Sequence, residues 1–495
     1  MKKLTFLLSL LIVSLSVTSQ VIPGVVASSY RVPSGETLHY GPAYTDNFNT
    51  YSVASLNGQG NWDVLLNSIT VYDGGNGARL VQSYTSTSVT VAQYDATFGT
   101  NQYAQITISN VGDVSDAMGV GVRLSGTGAT TCGYGYYVMN GTQRLFRIDN
   151  GVKTNLGSAG TASISAGATV RLEINGTTIT AYLNGSVDTG VGTSGSATVT
   201  EYTSGKAGIT GYNNGVTLGD LFEAGDIYTD EYYAVYNAMT NKPSVAVGSN
   251  QNTLVKTLKA CGAWTTFDIF YVFATHSNSG SEALINWKNP GTYNSIIHNT
   301  PVFTAYEGFK GTATEGGDDT SNGYLEAGGM YLSNLTKYTL NNASYGLYVR
   351  VGYTATEGKW MFGCTNDGNA YNQFSSSFGS YGVIYCLNST GGEDYANEWS
   401  GESRGYWTVD KPNSSDLVLY RNGTLLETAS YTSTAVNSYA KPYILCINAP
   451  TGPVPKRFCD AQISVVHLGG SLAGLVDDVN AAIETYMDSN SKGIE

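Results

Sequence analysis

Charge is scarce in this 495-residue chain. Asp, Glu, Lys and Arg together make up 13% of it, where globular proteins usually carry about a quarter. The charge that is present is acidic on balance, with a formal net of −13. Surfaces that grip phosphate backbones are basic, so this balance argues against nucleic acid as a partner. Histidine is nearly missing: His39, His276, His298 and His467 are scattered without ligand spacing. None of the six cysteines forms a CxxC, so a zinc site is not expected. There is no G-x-S-x-G, no Cys–His pairing and no P-loop. After the first twenty residues no apolar run is long enough to cross a bilayer, so the mature chain is expected to have no membrane span.

What the chain has in quantity is Gly, Ser, Thr, Asn and Tyr, with 60 glycines and 37 tyrosines. Neutral polar surfaces of this kind hydrogen-bond sugars or neighbouring chains with little sensitivity to salt. Lys2 and Lys3 precede the apolar run Leu4–Val17, and small residues follow to Ser19. This reads as a signal peptide over residues 1–19 and predicts an extracellular, exported protein. Export permits disulfides, and Cys364, Cys386, Cys446 and Cys459 are the candidates; their connectivity stays open.

The order of elements predicts an all-β protein. A lead-in occupies 20–44, and a β-sandwich occupies 45–228. The segment Val170–Val187 reads VRLEI–NG–TTITAYL–NG–SV, strands joined by the dipeptide best able to place two successive residues at φ > 0. Strands are also expected at Gln102–Ile108, Met118–Leu124, Tyr134–Met139 and Gln143–Ile148. A helical connector follows over 229–264: one helix from Asp230 stopped by Pro243, then Gln251–Cys261 capped by Ser249 or Asn250. Residues 265–490 return to strand and turn. They end in an amphipathic helix with Leu472, Leu475, Val476, Val479, Ile483 and Met487 on one face and Ser471 as N-cap.

Taken together, several segments carry a resemblance. DNFNTYSVASLNGQGNW (Asp46–Trp62), the MGVGVRL strand, RLFRIDNGVKTNLG, GKAGITGY and LGDLFEAGD (Leu218–Asp226) resemble concanavalin A-like or laminin-G-like lectin and glucanase domains. The C-terminal half resembles laminin-G-like domains of phage tail and virion proteins, through Leu254–Phe273, Ala283–Pro290, Pro301–Thr312 and the final Ile463–Met487. The resemblance implies two concanavalin A-like (jelly-roll) β-sandwich domains joined by a short helical connector.

Glucanases on such sandwiches carry two catalytic carboxylates in a pattern close to E-x-D-x-x-E. Here Glu223 and Asp226 have the wrong spacing, so no enzyme activity is expected. Glycan binding needs aromatic faces beside polar groups. The candidates are Tyr134, Tyr136, Tyr182 and Tyr212 in the first sandwich and Trp399, Tyr406 and Trp407 in the second. The last three flank the segment Gly392–Trp407, read as a rim loop. Structural calcium is the one cofactor suggested, held by Asp46 and Asp220 at the ends of the first sandwich or by Asp318 and Asp319 in a turn. The expectation is a secreted or virion-displayed, non-catalytic adhesive protein that binds glycans or cell-surface polysaccharide. The alternative is a structural subunit of a phage fibre or extracellular appendage that binds itself or other virion subunits; a polysaccharide hydrolase stands third.

Overall fold

The computed structural model describes residues 38–75, 78–83, 88–112, 115–213, 217–313, 320–352, 359–365, 371–375, 383–389, 394–396, 403–449 and 454–494. The expected signal peptide lies outside these residues. No helix among those described is long and apolar enough to cross a membrane.

Strands between His39 and Tyr228 build a first pair of sheets, of nine and seven strands; strands between Phe267 and Gly469 build a second pair, of eight and nine. The first strand, His39–Asp46, begins inside the stretch read as a lead-in and pairs antiparallel with the last strand of its sandwich, Leu218–Tyr228. Tyrosine and alternating small residues explain much of the packing. On the strand Cys132–Met139, Tyr134, Tyr136 and Val138 project between the sheets, where Trp62, Ile106, Leu172 and Phe222 meet them. Gly135, on the other face, leaves room for the Phe146 ring. That other face is itself covered: Val91, Leu124, Tyr137, Phe146 and Ile148 form a further buried cluster. The second sandwich closes in the same way around Tyr345, Phe362, Trp407 and Ile463.

The turns follow their chemistry. Asn184 and Gly185 sit at φ 52° and 77°, as a type I′ hairpin demands, and Asn422–Gly423 repeat this at 49° and 73°. At the first Asn-Gly of the repeat the turn is displaced by one residue. Asn175 still pairs with Thr178, and of the Asn175–Gly176 dipeptide only Gly176 is left-handed.

Among the described residues three α-helices join and flank the sandwiches: α1 (Asp230–Ala238), α2 (Val245–Ala260) and α3 (Val476–Ser489). Helix α2 starts six residues before the expected Gln251, with Ser244 as its N-cap. Gly248 and Ser249 are poor helix formers, but tertiary contacts override that preference. A Cβ at Gly248 would collide with the Tyr228 hydroxyl, and Ser249 hydrogen-bonds the Asp226 carboxylate. Gln251 accepts from Tyr232 at 2.7 Å. On its far side α2 packs against α3 in a core with Trp287, Tyr348 and Tyr406. Helix α3 likewise begins at Val476 because Ser471 is engaged elsewhere, donating to Asp410 at 2.9 Å.

Helix α2 therefore touches both halves. Its Lys256 reaches the first sandwich, at 2.8 Å from Thr100 Oγ1 and 3.0 Å from Asn101 Oδ1. Beside them Arg123 is buried without a carboxylate partner. Its guanidinium donates instead to the carbonyls of Thr100, Gly176 and Tyr202 at 2.6–3.1 Å. Asp226 is buried here too, accepts from Gly99 N–H at 2.7 Å, and leaves its Oδ2 without a partner.

Candidate functional site

Several expected site residues are in the core. Tyr134 and Tyr136 share a strand face as expected, but it is the inner one, and both rings are fully buried. Their hydroxyls meet Glu201 at 3.3 Å and Asp188 at 2.6 Å. Tyr406 and Trp407 belong to the strand Gly405–Lys411 and not to a rim loop, and they too are buried. Strand parity gave these rings a shared or opposite side, and the core took them because sheets on both flanks bury them. A ring in this position cannot stack on a sugar. Trp399, Asp318 and Asp319 lie outside the described residues.

Tyr406 takes part in a buried arrangement that resembles a nucleophile, base and orienting group. Its hydroxyl lies 2.6 Å from His467 Nδ1, and His467 Nε2 lies 3.1 Å from Ser344 Oγ. All three are sealed from solvent, Ser344 donates to the Gly470 carbonyl at 2.7 Å, and burial pushes the imidazole down to about 3. This set is a neutral structural network.

The calcium expectation at Asp46 meets an occupied carboxylate. The first and last strands are neighbours, but Asp46 stands opposite Phe222, and Asp220 opposite Thr107. Asp46 accepts from Phe48 N–H and Trp62 Nε1–H, both at 2.8 Å, and from the Tyr51 hydroxyl. Asp220 accepts from Leu221 N–H at 2.8 Å. No group of three or more His, Cys, Asp or Glu converges among the described residues. Of the disulfide candidates, Cys364, Cys386, Cys446 and Cys459 are all buried, and each stands as a free thiol. Cys364 and Cys386 flank the strand Tyr371–Ser375. That puts them about 10 Å apart by strand spacing, beyond the ~7 Å a bridge spans.

Tyr182 and Tyr212 are the two candidates that stand outside the core. Tyr212 stacks on Tyr137 with ring centroids 5.7 Å apart, and Lys153 Nζ covers it at 4.7 Å. It is capped. Tyr182 has richer company on the outward face of the nine-stranded sheet. The registers of five adjacent strands place Thr45, Glu223, Gln105, Arg171 and Tyr182 in one row. Two residues along, Ala43, Gly225, Tyr103, Glu173 and Thr180 form the next row on the same face. Every member of the first row is half-buried or exposed.

Arg171 organises this face. Its guanidinium packs in the angle between the rings of Tyr40 and Tyr103, 3.9 and 4.0 Å from their centroids. Its Nε donates to Glu173 Oε1 at 2.7 Å, and the Tyr40 hydroxyl donates to the same oxygen at 2.6 Å. Tyr103 donates to Glu223 at 2.8 Å. The phenols of Tyr40, Tyr103 and Tyr182 all have raised pKa values, first because burial disfavours the phenolate and then because a carboxylate stands beside each. They stay protonated donors. One donor and one acceptor remain over: Arg171 Nη2 and Glu173 Oε2 are buried without a hydrogen-bond partner among the described residues. Leaving such groups unpaired costs about 1–3 kcal/mol each, which a ligand or water bonded to both would recover.

Of this set the sequence offered Tyr182 as a binding residue and Glu223 only as a carboxylate at the wrong spacing for catalysis. The signal for Arg171 and Glu173 was present in VRLEI, where Val170, Leu172 and Ile174 turn inward and the two charged residues turn outward together. Tyr40 was hidden because it falls in the stretch set aside as lead-in.

No family model matches this chain, and no curated protein does. Solved structures do resemble it. A carbohydrate-binding module from Bacillus subtilis is similar over 34% of this chain and 93% of its own, at 14% identity and a TM-score of 0.25. Domain 4 of an extracellular arabinanase from Geobacillus stearothermophilus, solved with arabinotriose, is similar over 43% of this chain and 98% of its own, at 14% identity and a TM-score of 0.28. Mouse laminin alpha1 domains LG4-5 are similar over 78% of this chain and 88% of their own, at 13% identity and a TM-score of 0.21. These neighbours are of the lectin-like and laminin-G-like kind that the sequence resembles. At such TM-scores they decide nothing about function, which has to be read from the residues.

Proposed function

We propose that the protein binds carbohydrate without covalent chemistry, on the outward face of the first sandwich formed by Thr45, Glu223, Gln105, Arg171 and Tyr182. The observation that carries this reading is the unpaired couple Arg171 Nη2 and Glu173 Oε2, set beneath half-exposed aromatic rings. Sugars offer vicinal hydroxyls that accept from one such group and donate to the other, and apolar C–H faces that rest on rings. Tyr40, 39% exposed, packs its ring on the Arg171 guanidinium and donates to the other oxygen of Glu173. A sugar hydroxyl replaces the Tyr40 hydroxyl on Glu173 when that ring turns aside.

The same face supports binding over hydrolysis. Glu173 and Glu223 lie on strands separated by a third and in adjacent rows. Each carboxylate is also tied to a phenol. A glycosidase instead needs two carboxyl groups free to move a proton and to attack or activate water.

The test is a glycan and polysaccharide binding screen on the full chain, followed by Gln105→Ala and Tyr182→Ala. Both side chains are half-exposed, so the fold is expected to survive. Each variant is expected to weaken binding about tenfold, the loss of one hydrogen bond or ring contact. Unchanged affinity in both would remove this face from the site.

A further inference from the structure

The second sandwich has an outward face of its own. Strands Ile296–His298, Tyr324–Glu326 and Tyr443–Ile444 lie side by side at one end of its nine-stranded sheet. Their register sets Ile296, Glu326 and Tyr443 in one row and His298 with Tyr324 in the next. Leu325 and Ile444, with the opposite parity, are buried in the core, and Tyr324 and Tyr443 are buried as well, so Ile296 and His298 are the open members of the two rows.

Two basic side chains are presented here around one acid. The His298 ring stacks on Tyr324 at 4.6 Å and 8°, with Nε2 2.9 Å from Glu326 Oε2. Lys441 Nζ lies 2.8 Å from Glu326 Oε1, as an ion pair off the line of a hydrogen bond. Glu326 is only 6% exposed, whereas His298 and Lys441 are 34% and 37% exposed. The buried carboxylate thus holds both groups by their inner edges. The remaining ammonium N–H bonds of Lys441 and the far side of the imidazole face outward.

Apolar side chains are exposed in the same row and on the adjoining loops. Ile296 is exposed, Tyr331 is 37% exposed and Tyr439 is 74% exposed. Gly329 crosses directly over the cluster: a Cβ on it would lie 3.5 Å from Glu326 Oε1, 3.6 Å from Ile296 Cδ1 and 4.0 Å from Lys441 Nζ. The loops bearing the two tyrosines are joined. Ser333 N–H donates to the Asn437 carbonyl at 3.1 Å, and Asn437 Oδ1 accepts from Tyr439 and Ala440 N–H at 2.9 Å. Asn437 holds the Tyr439 backbone in place, and its ring stands out into solvent. An exposed ring on a fixed backbone, two residues from the partly exposed ammonium of Lys441, suits a ligand with an apolar face and an anionic group.

We propose that this face is a second binding site, separate from the first sandwich, for a carboxylate-bearing saccharide such as a uronic-acid oligomer. Tyr439 and Ile296 take the C–H face of the sugar ring, and Lys441 takes its carboxylate with His298 beside it. The inference shares only the carbohydrate class of the ligand with the reading above; its residues are different.

The experiment titrates the full chain with oligogalacturonate, its fully methyl-esterified form and a sulfated oligosaccharide of similar length. The acid form is expected to bind at least tenfold more tightly than the ester, and more tightly than the sulfated chain. Raising the salt concentration is expected to weaken it, because an exposed ion pair is screened. Lys441→Gln and Tyr439→Ala should each cost about tenfold, the order of one charged hydrogen bond or one ring contact, while Lys441→Arg retains binding. Gln105→Ala and Tyr182→Ala, on the first face, should leave this titration unchanged. Equal affinity for acid and ester, preference for the sulfated chain, or no binding to any of the three overturns the proposal. Loss on the first-face variants with none at Lys441 or Tyr439 overturns it as well, by assigning the ligand to the first sandwich.

Discussion

Asp226 gives the sharpest test of how the two halves meet. Its carboxyl is buried where the last strand of the first sandwich reaches α2, hydrogen-bonded by Gly99 N–H and Ser249, with one oxygen unpaired. Burial pushes its pKa up from 3.8 to about 6, against the pull of these hydrogen bonds and of Lys256. A folded-state pKa above the unfolded one means that the native state holds the proton more tightly. Stability from this group is therefore greatest below about pH 4, falls as pH rises, and levels off above about pH 6. The full span is about 3 kcal/mol. Asp410, also raised to about 6 by burial, adds a slope of the same sign, so the wild-type curve alone does not isolate Asp226. The difference between wild type and Asp226→Asn does. Denaturant unfolding at pH 4, 5, 6 and 7.5 should show the variant close to wild type at pH 4 and more stable by up to about 3 kcal/mol at pH 7.5. A difference that stays constant across this range would falsify the assignment of a buried, proton-holding carboxyl to the junction.

Lys256, on the neighbouring turn of α2, carries the opposite sign. Burial lowers its pKa from 10.5 to about 8, so its folded form resists the charge, and stability should rise between about pH 8 and pH 10.5. Lys256→Met should flatten that rise by about 3 kcal/mol; a rise of undiminished size in the variant would sink the idea. Gly185→Val tests the hairpin. Nothing lies within 4 Å of the Cβ that would be added, so the cost is the left-handed backbone at φ 77° alone, about 1–2 kcal/mol. Calorimetry should show melting a few degrees lower, and an unshifted transition would contradict the turn.

The architecture was legible wherever one residue pair decides a backbone conformation. Asn184–Gly185 and Asn422–Gly423 turn as their chemistry dictates, and VRLEI alternates as a strand with one buried face. Legibility failed where burial depends on what arrives from far along the chain. The strand Cys132–Met139 is covered on both faces, by the sandwich core and by the cluster around Tyr137, so its pattern could not say which tyrosines are accessible. Tyr406 and Trp407 face opposite cores for the same reason. Helix α2 extends through Gly248 and Ser249 because Tyr228 and Asp226 stand against them, contacts that no local propensity encodes. The candidate face on the first sandwich was half visible. Tyr182, Arg171 and Glu173 lie close in sequence, but Tyr40, Tyr103 and Glu223 join them only through strand pairing.

The strand Leu218–Tyr228 has a mechanical consequence. It is hydrogen-bonded along both edges, to Gln102–Asn110 on one side and to His39–Asp46 and Ala78–Ser83 on the other, and the chain runs from it directly into the helices of the junction. A pull carried through the chain along this strand would strain its hydrogen bonds in shear, all at once, where a pull across an edge would peel them one by one. A chain held to a polymer through one half and tugged through the other meets that load at the place built to resist it.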